Sequence, residues 1–246
     1  MTNQTGKHEL DFLKKYSTTQ LESAVSLFKL RARNDGVTLP GLQQRFPGFG
    51  RLVGYAVTCT FSTDADDAPN AARGRRENFD YWNYLHHVAG PKVVIAVDAS
   101  AQAASGSTFG RLNANIHRAL GCRGIVTNGG VRDIDEFQRL GLQVYSAHLT
   151  TRHGNPHFIS FGEPVSLHGA TFKTGEVVCA DEHGVISIPK ETLPHIEEAI
   201  AEIERRLAPV IAYCRSTGFD PAGLNEAINK HMKGAPEWKP KGVRKD

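Results

Sequence analysis

The chain has 246 residues, 40% hydrophobic and 22% charged, which suits one large compact domain or two small ones and excludes a disordered or fibrous chain. Its 29 Lys and Arg against 26 Asp and Glu leave +3, unevenly spread. Residues 230–246 hold Lys230, Lys233, Lys239, Lys241, Arg244 and Lys245 against Glu237 and Asp246, so this tail carries +4 and the remaining 229 residues −1. A near-neutral body argues against a domain built to grip nucleic acid through many phosphates.

Four scattered cysteines (Cys59, Cys122, Cys179, Cys214) show no disulfide or zinc spacing, which fits a reducing compartment. Without a continuous apolar leader or a stretch long enough to cross a bilayer, a soluble, cytoplasmic protein with no membrane partner is expected. Eleven histidines are the unusual count. Six of them (His117, His148, His153, His157, His168, His183) fall within 67 residues, where an even spread would put about three.

Thr19-Gln-Leu-Glu22 is a capping-box pattern, and Leu21, Ala24, Val25 and Phe28 follow helical spacing, predicting a helix over about 18–30. Residues 33–50, rich in Gly, Pro and Asn, read as a connection. RLVGYAVTCTF suits a buried strand over about 51–61, and STDADDAPNAARGRREN a polar surface loop. Phe79, Trp82, Leu85 and Val88 mark an amphipathic helix stopped by Gly90-Pro91. KVVIAVDA is a second buried strand, followed by a small, flexible stretch and a helix over about 112–120. GIVT is a third, with Asn128-Gly129-Gly130 as its turn and a short helix from Asp133 to Gly141. This order predicts an α/β unit with parallel strands.

From residue 143 the pattern becomes strand-rich: QVYSAHLT, PVSLHGATF, EVVCAD and GVISIP read as short strands closing a barrel or sandwich. Leu193 to Leu207 then define a long amphipathic helix that Pro209 should kink or end, and a weak helical pattern and the basic tail follow. One domain is expected over residues 1–220, with a helical segment over about 10–48 and a core over about 50–218, and a C-terminal extension over 221–246.

The most informative stretch is Gly110-Arg-Leu-Asn-Ala-Asn-Ile-His117, followed by Gly124-Ile-Val-Thr-Asn-Gly-Gly-Val-Arg132-Asp133. It places a glycine and a helix start beside the carboxyl end of a buried strand that carries an Arg-Asp pair. Free N–H groups at a helix start attract an anion, an arginine fork grips a carboxylate or steadies an enolate oxygen, and an adjacent carboxylate can hold a divalent cation. The plainer readings are a capping box made by Asp133 and Glu136, a turn at Asn128, an ion pair at Arg132 and a hydrogen-bonded structural or interface histidine at His117.

These segments, together with GRLVGYAVTCT, KVVIAVDA, QVYSAHLTTRHGNPHFISFGEPVSLHG and GEVVCADEHGVISIP, resemble the RraA-like family over about residues 10–218. That family contains the 4-hydroxy-4-methyl-2-oxoglutarate / 4-carboxy-4-hydroxy-2-oxoadipate aldolases and bacterial protein inhibitors of ribonuclease E. The resemblance implies an α/β fold, an αββα sandwich with a compact central β barrel, assembled as trimers or hexamers with active sites between subunits.

In the family's aldolases an acidic residue, twenty intervening residues and Arg-Asp form the metal-site motif. The resemblance makes Asp133 the ligand of Mg²⁺ or Mn²⁺ and Arg132 the contact to the pyruvate-like oxygen. The amides of Leu112 and Asn113, beside Gly110, take the substrate carboxylate. The acidic position itself is Arg111, a cation suited to an anionic substrate group. Asn128 stands where many relatives have Asp, and His117 offers a neutral imidazole for proton transfer. The acid that some aldolases contribute from a neighbouring subunit falls near Ala208, one helical turn from Glu204. Three functions are open: a carbon–carbon lyase acting on a 2-oxo dicarboxylic acid, a non-catalytic ribonuclease-inhibitor type of binding protein, or a diverged enzyme using Arg111, Arg132 and histidines without the usual metal site.

Overall fold

The computed structural model describes residues 9–64, 71–233 and 236–240. The chain divides into two compact units, Met1–Thr18 with Asn34–Ile188, and Thr19–Arg33 with Pro189–Asp246.

The larger unit is built on β2 (Leu52–Ser62), β3 (Lys92–Asp98), β4 (Cys122–Val131) and β5 (Gln143–Leu149), which pair in parallel in that order. A short β1 (Gln43–Gln44) edges β5. The free edge of β2 is shared: its first half pairs with β9 (Val177–Asp181) and its second with β6 (His157–Phe161), both antiparallel. β10 (Gly184–Ile188) completes the sheet beyond β9. The branched runs of β2 to β4 suit strands covered on both faces.

Alternation sends Val57, Cys59, Phe61, Val94, Ala96, Ile125 and Val144 to one face. There they pack with Tyr81 and Leu85 of α2 (Ala71–His87), Ala114 of α3 (Arg111–Ala119) and Phe137 of α4 (Ile134–Leu140). Ala56, Val93, Ile95, Val126 and Tyr145 point to the other face, against β9, β10 and the hairpin of β7 (Val165–Leu167) and β8 (Ala170–Phe172). The Tyr145 hydroxyl donates to Ala180 O at 2.9 Å, joining β5 to β9 across the interior. The sheet is therefore curled into a nearly closed barrel, the α/β architecture that the resemblance implies.

Several local expectations change. Asn128-Gly129-Gly130 is not a turn: β4 runs through it to Val131. PVSLHGATF is two strands, because His168 (φ 43°) and Gly169 (φ 78°) form a two-residue turn with both residues left-handed. β6 lies between QVYSAHLT and PVSLHGATF, outside the expected strands, and Phe79 is 65% exposed although its spacing suggested a buried face.

The smaller unit contains α1 (Thr18–Leu27, from Thr19 on), α5 (Ile196–Cys214) and α6 (Pro221–Ile228). Pro209 does not end α5, which continues to Cys214. Asp220 caps α6 by accepting the Gly223 N–H at 2.7 Å, with Pro221 in the first turn. Part of the C-terminal extension folds back on this unit: Trp238 meets Phe28 edge-on with ring centroids 5.0 Å apart, and Glu237 pairs with Lys29 at 2.6 Å. Lys241, Arg244 and Lys245 of the basic tail lie outside the described residues. Among the described residues no helix is long and apolar enough to cross a membrane.

Candidate functional site

Chain direction brings the carboxyl ends of β3 and β4 to the same end of the larger unit, where ligand sites of parallel sheets form. At β3, Asp98 is 5% exposed and its carboxylate accepts the N–H groups of Ser100 and Ala104, each at 3.0 Å. Asn128 clasps the same residue: its Oδ1 accepts Asp98 N–H at 2.7 Å and its Nδ2 donates to Asp98 O at 3.1 Å. Asn128 is thus spent on joining β4 to β3 and fixing the loop that leads to α3. It does not line the cavity described next.

That cavity, of about 350 Å³, collects Gly110, Arg111, Leu112 and Asn113 at the start of α3, and Arg132 and Asp133 after β4. Asn78 and Trp82 of α2, Ser107, Thr108, His153 and Pro156 complete its lining. Helix geometry leaves the N–H groups of Leu112 and Asn113 without intrahelical acceptors. The chain turns sharply into α4 at Asp133, whose φ of 54° is left-handed. Its carboxylate does not cap α4. Oδ2 instead accepts the Arg111 N–H at 3.0 Å and lies 3.6 Å from Arg132 Nε. Gly110 allows this approach, since a Cβ there would stand 2.9 Å from that oxygen.

The Arg111 side chain is 76% exposed and turns away from Asp133 toward Glu136 of α4, whose Oε2 lies 3.9 Å from Arg111 Nε. Glu136 is buried and also accepts from Asn115 Nδ2 at 2.9 Å and from Arg139. It is the centre of a structural polar cluster and does not line the cavity.

Among the described residues, four buried side-chain polar atoms have no hydrogen-bond partner, and three of them belong to residues lining this cavity: Trp82 Nε1, Thr108 Oγ1 and Asn113 Oδ1. Buried polar atoms are normally paired, so these three stand out. Sequence reasoning missed Trp82 and Thr108. Trp82 carries a helical-core spacing, and Thr108 lies in a loop that no pattern distinguishes.

His117 stands outside the cavity, fully buried in α3. Its Nδ1 is 2.7 Å from Asn113 O and its Nε2 is 3.0 Å from the Tyr81 hydroxyl, with Phe109 and Tyr81 against the ring. Burial pushes its pKa down to about 4, so it is a neutral core group at pH 7. Of the six clustered histidines only His153 lines the cavity. His183 occupies the turn between β9 and β10, as its sequence context suggests.

The family described as RraA-like (Aldolase/RraA) matches residues 18–187. The chain belongs to the RraA-like family. That family includes aldolase and decarboxylase enzymes as well as ribonuclease-inhibitor members. Among curated relatives, the uncharacterized protein MJ0644 of Methanocaldococcus jannaschii is 33% identical over 98 residues, 39% of this chain and 45% of its own length. The chain spans less than half the length of the curated relatives it matches. Among solved structures, an uncharacterized protein from Pseudomonas syringae superposes with a TM-score of 0.66 at 19% identity, covering 90% of this chain and 93% of its own. RraAS2 of Streptomyces coelicolor, described as an unusual member of the RNase ES inhibitor RraA family, gives 0.62 at 20% identity, covering 82% and 94%. Both similarities speak to fold.

The resemblance implies that Arg132 and Asp133 stand at the end of the aldolase motif and Arg111 at its acidic start. Among the described residues, the carboxylate that this cavity offers a Mg²⁺ or Mn²⁺ ion is that of Asp133. Such hard cations take about six oxygen ligands, and Mg²⁺ usually keeps several of them as water beside one or two carboxylates. The Asp133 Oδ2 is shared by the Arg111 amide and the Arg132 guanidinium. Among the described residues, the grouping of three ligand-type side chains within reach of one ion is Asp181, Glu182 and His183, none of which lines this cavity.

Proposed function

We propose that the cavity binds and cleaves a small 2-oxo acid bearing a second carboxylate, with arginine facing the developing enolate. The observation that carries this reading is that two helix N–H groups without intrahelical acceptors and Arg132 share one cavity of about 350 Å³, whose lining includes three residues with buried unpartnered polar atoms. The substrate's 1-carboxylate takes the Leu112 and Asn113 N–H groups, where the helix end favours negative charge. Arg132 donates to the ketone oxygen. When the carbon–carbon bond β to that ketone carbonyl breaks, its electron pair moves into the enolate and the charge on oxygen grows beside the guanidinium. The departing fragment leaves as carbon dioxide, or as a carbonyl compound whose hydroxyl proton passes to water. The enolate then takes a proton from water to give pyruvate. Thr108 Oγ1, Trp82 Nε1 and Asn113 Oδ1 remain for the polar groups of the departing half.

This is the carbon–carbon lyase branch of the family with its metal-site motif altered, and Arg111 stands at the rim as a further cation for the anionic substrate. Association into trimers or hexamers belongs to the same reading and is checked by light scattering. The test supplies the full chain with oxaloacetate and 4-hydroxy-4-methyl-2-oxoglutarate, with Mg²⁺, Mn²⁺ or EDTA and with protein-free controls. Pyruvate release above the control that survives EDTA, and that falls about 10²–10³-fold in Arg132→Ala, is expected. Turnover that needs added metal would overturn the arginine assignment. Absence of turnover and of oxalate binding would favour the non-catalytic, ribonuclease-inhibitor type.

A further inference from the structure

A second cavity, of about 750 Å³, opens at the amino-terminal ends of the parallel strands, opposite the end that carries Arg132 and Asp133. Lys14, Arg51, Lys92, Arg118 and Arg123 line it, and among the described residues no Asp or Glu does. Five cations on one cavity stand out in a body whose first 229 residues carry net −1.

Among the described residues, carboxylates pair with Lys14, Arg51 and Arg123 and not with Lys92 or Arg118. Asp11 lies 2.9 Å from Lys14 and 3.1 Å from Arg123, and Asp181 is 3.7 Å from Arg51. Lys92 and Arg118, among the described residues, hydrogen-bond only to carbonyl oxygens: Lys92 Nζ to Leu120 O at 2.7 Å and Arg118 Nε to Leu140 O at 3.0 Å. Lys92 is 6% exposed, and its ammonium has three N–H bonds for that one acceptor. Burial pushes its pKa down, a shift that an arriving anion reverses. Helix carbonyl ends explain one hydrogen bond each for Lys92 and Arg118, and leave the forked face of Arg118 unused.

We propose that this cavity binds a small oligophosphate anion on Lys92, Arg118 and Arg123. Guanidinium groups match phosphate oxygens in pairs, and the volume lies in the range of small-molecule sites. The anion comes either as an inorganic oligophosphate or as a nucleotide. For the latter, Phe49, 42% exposed on the cavity lining, offers a ring on which a base can stack.

Calorimetric titration of the full chain with tripolyphosphate, ADP, adenosine and a 20-nucleotide RNA tests this. Tripolyphosphate and ADP are expected to saturate and to weaken between 50 and 300 mM salt, while adenosine alone does not bind. Arg118→Gln and Arg123→Gln should each weaken binding about tenfold or more. Lys173→Gln, an exposed cation away from the cavity, should leave it unchanged. Loss of ADP binding but not of tripolyphosphate binding in Phe49→Ala identifies the nucleotide form, and equal retention the inorganic form. Failure of both phosphates to bind, binding that both arginine variants leave intact despite native circular dichroism, or binding of RNA alone overturns the proposal.

Discussion

Asp133 Oδ2 accepts the main-chain N–H of Arg111 at 3.0 Å, so the carboxylate caps α3, which precedes it by twenty-two residues, and not α4, which follows it. Gly110, at the N-cap of α3, has no side chain that could accept this N–H. The helix start that presents the Leu112 and Asn113 amides is therefore held in place by the residue beside Arg132. Capping and site geometry are one arrangement.

Removing that acceptor is expected to destabilise the fold. Asp133→Ala loses a cap worth about 1 kcal/mol and places alanine at φ 54°, a second penalty of about 1 kcal/mol. Asp133→Asn keeps an acceptor and a residue tolerant of the left-handed region, so it should lose well under half as much. Urea midpoints of the two variants at pH 7 check the difference.

The larger unit was readable where local pattern and burial agree. β2, β3, the start of β4 and helices α3 and α4 follow apolar runs and glycine stops. Pattern failed where glycine serves packing and not turning, as at Asn128-Gly129-Gly130, and where one partner strand is divided, as β2 is between β9 and β6. Arg132, Asp133 and the α3 amides were readable because they are close in sequence. Trp82, Thr108 and His153 reach the same cavity only through folding. The division of roles between Asp133 and Glu136 depends on which helix end each carboxylate meets, and spacing alone does not carry that.

Gly129 tests the packing role of those glycines. A Cβ there would lie 2.8 Å from Phe61 Cζ and 3.0 Å from both Asp98 Cβ and Oδ2. Its φ is not in the left-handed region, so crowding alone acts. Gly129→Ala should lose about 1–3 kcal/mol, the usual range for overpacking, measured by urea unfolding. Loss below about 0.5 kcal/mol would mean that the Phe61 ring and the Asp98 loop yield freely.

Thr108 separates stability from binding. Its hydroxyl is buried without a partner, so Thr108→Val removes an unsatisfied group at similar volume. The variant should be as stable as the parent or more so, by up to about 1 kcal/mol, while binding a 2-oxo dicarboxylate or oxalate several-fold more weakly. Thermal unfolding and titration of the same samples check both signs. Weakened folding would show that the hydroxyl has a structural partner in solution.

His117 predicts a specific acid sensitivity. Its neutral ring donates from Nδ1 to Asn113 O and accepts at Nε2 from the Tyr81 hydroxyl, and burial lowers its pKa from 6.5 to about 4. The unfolded chain therefore binds the imidazole proton at higher pH than the folded one. Stability from this residue is fully present above about pH 6.5, declines as pH falls, and is lost on passing through about pH 4. The full span is worth about 3 kcal/mol. Urea midpoints measured from pH 7.5 to 4.5 should fall for the parent more steeply than for His117→Gln, which cannot take up that proton. Coincident slopes would show that the ring titrates alike in both states and refute the assignment of His117 as a desolvated core group.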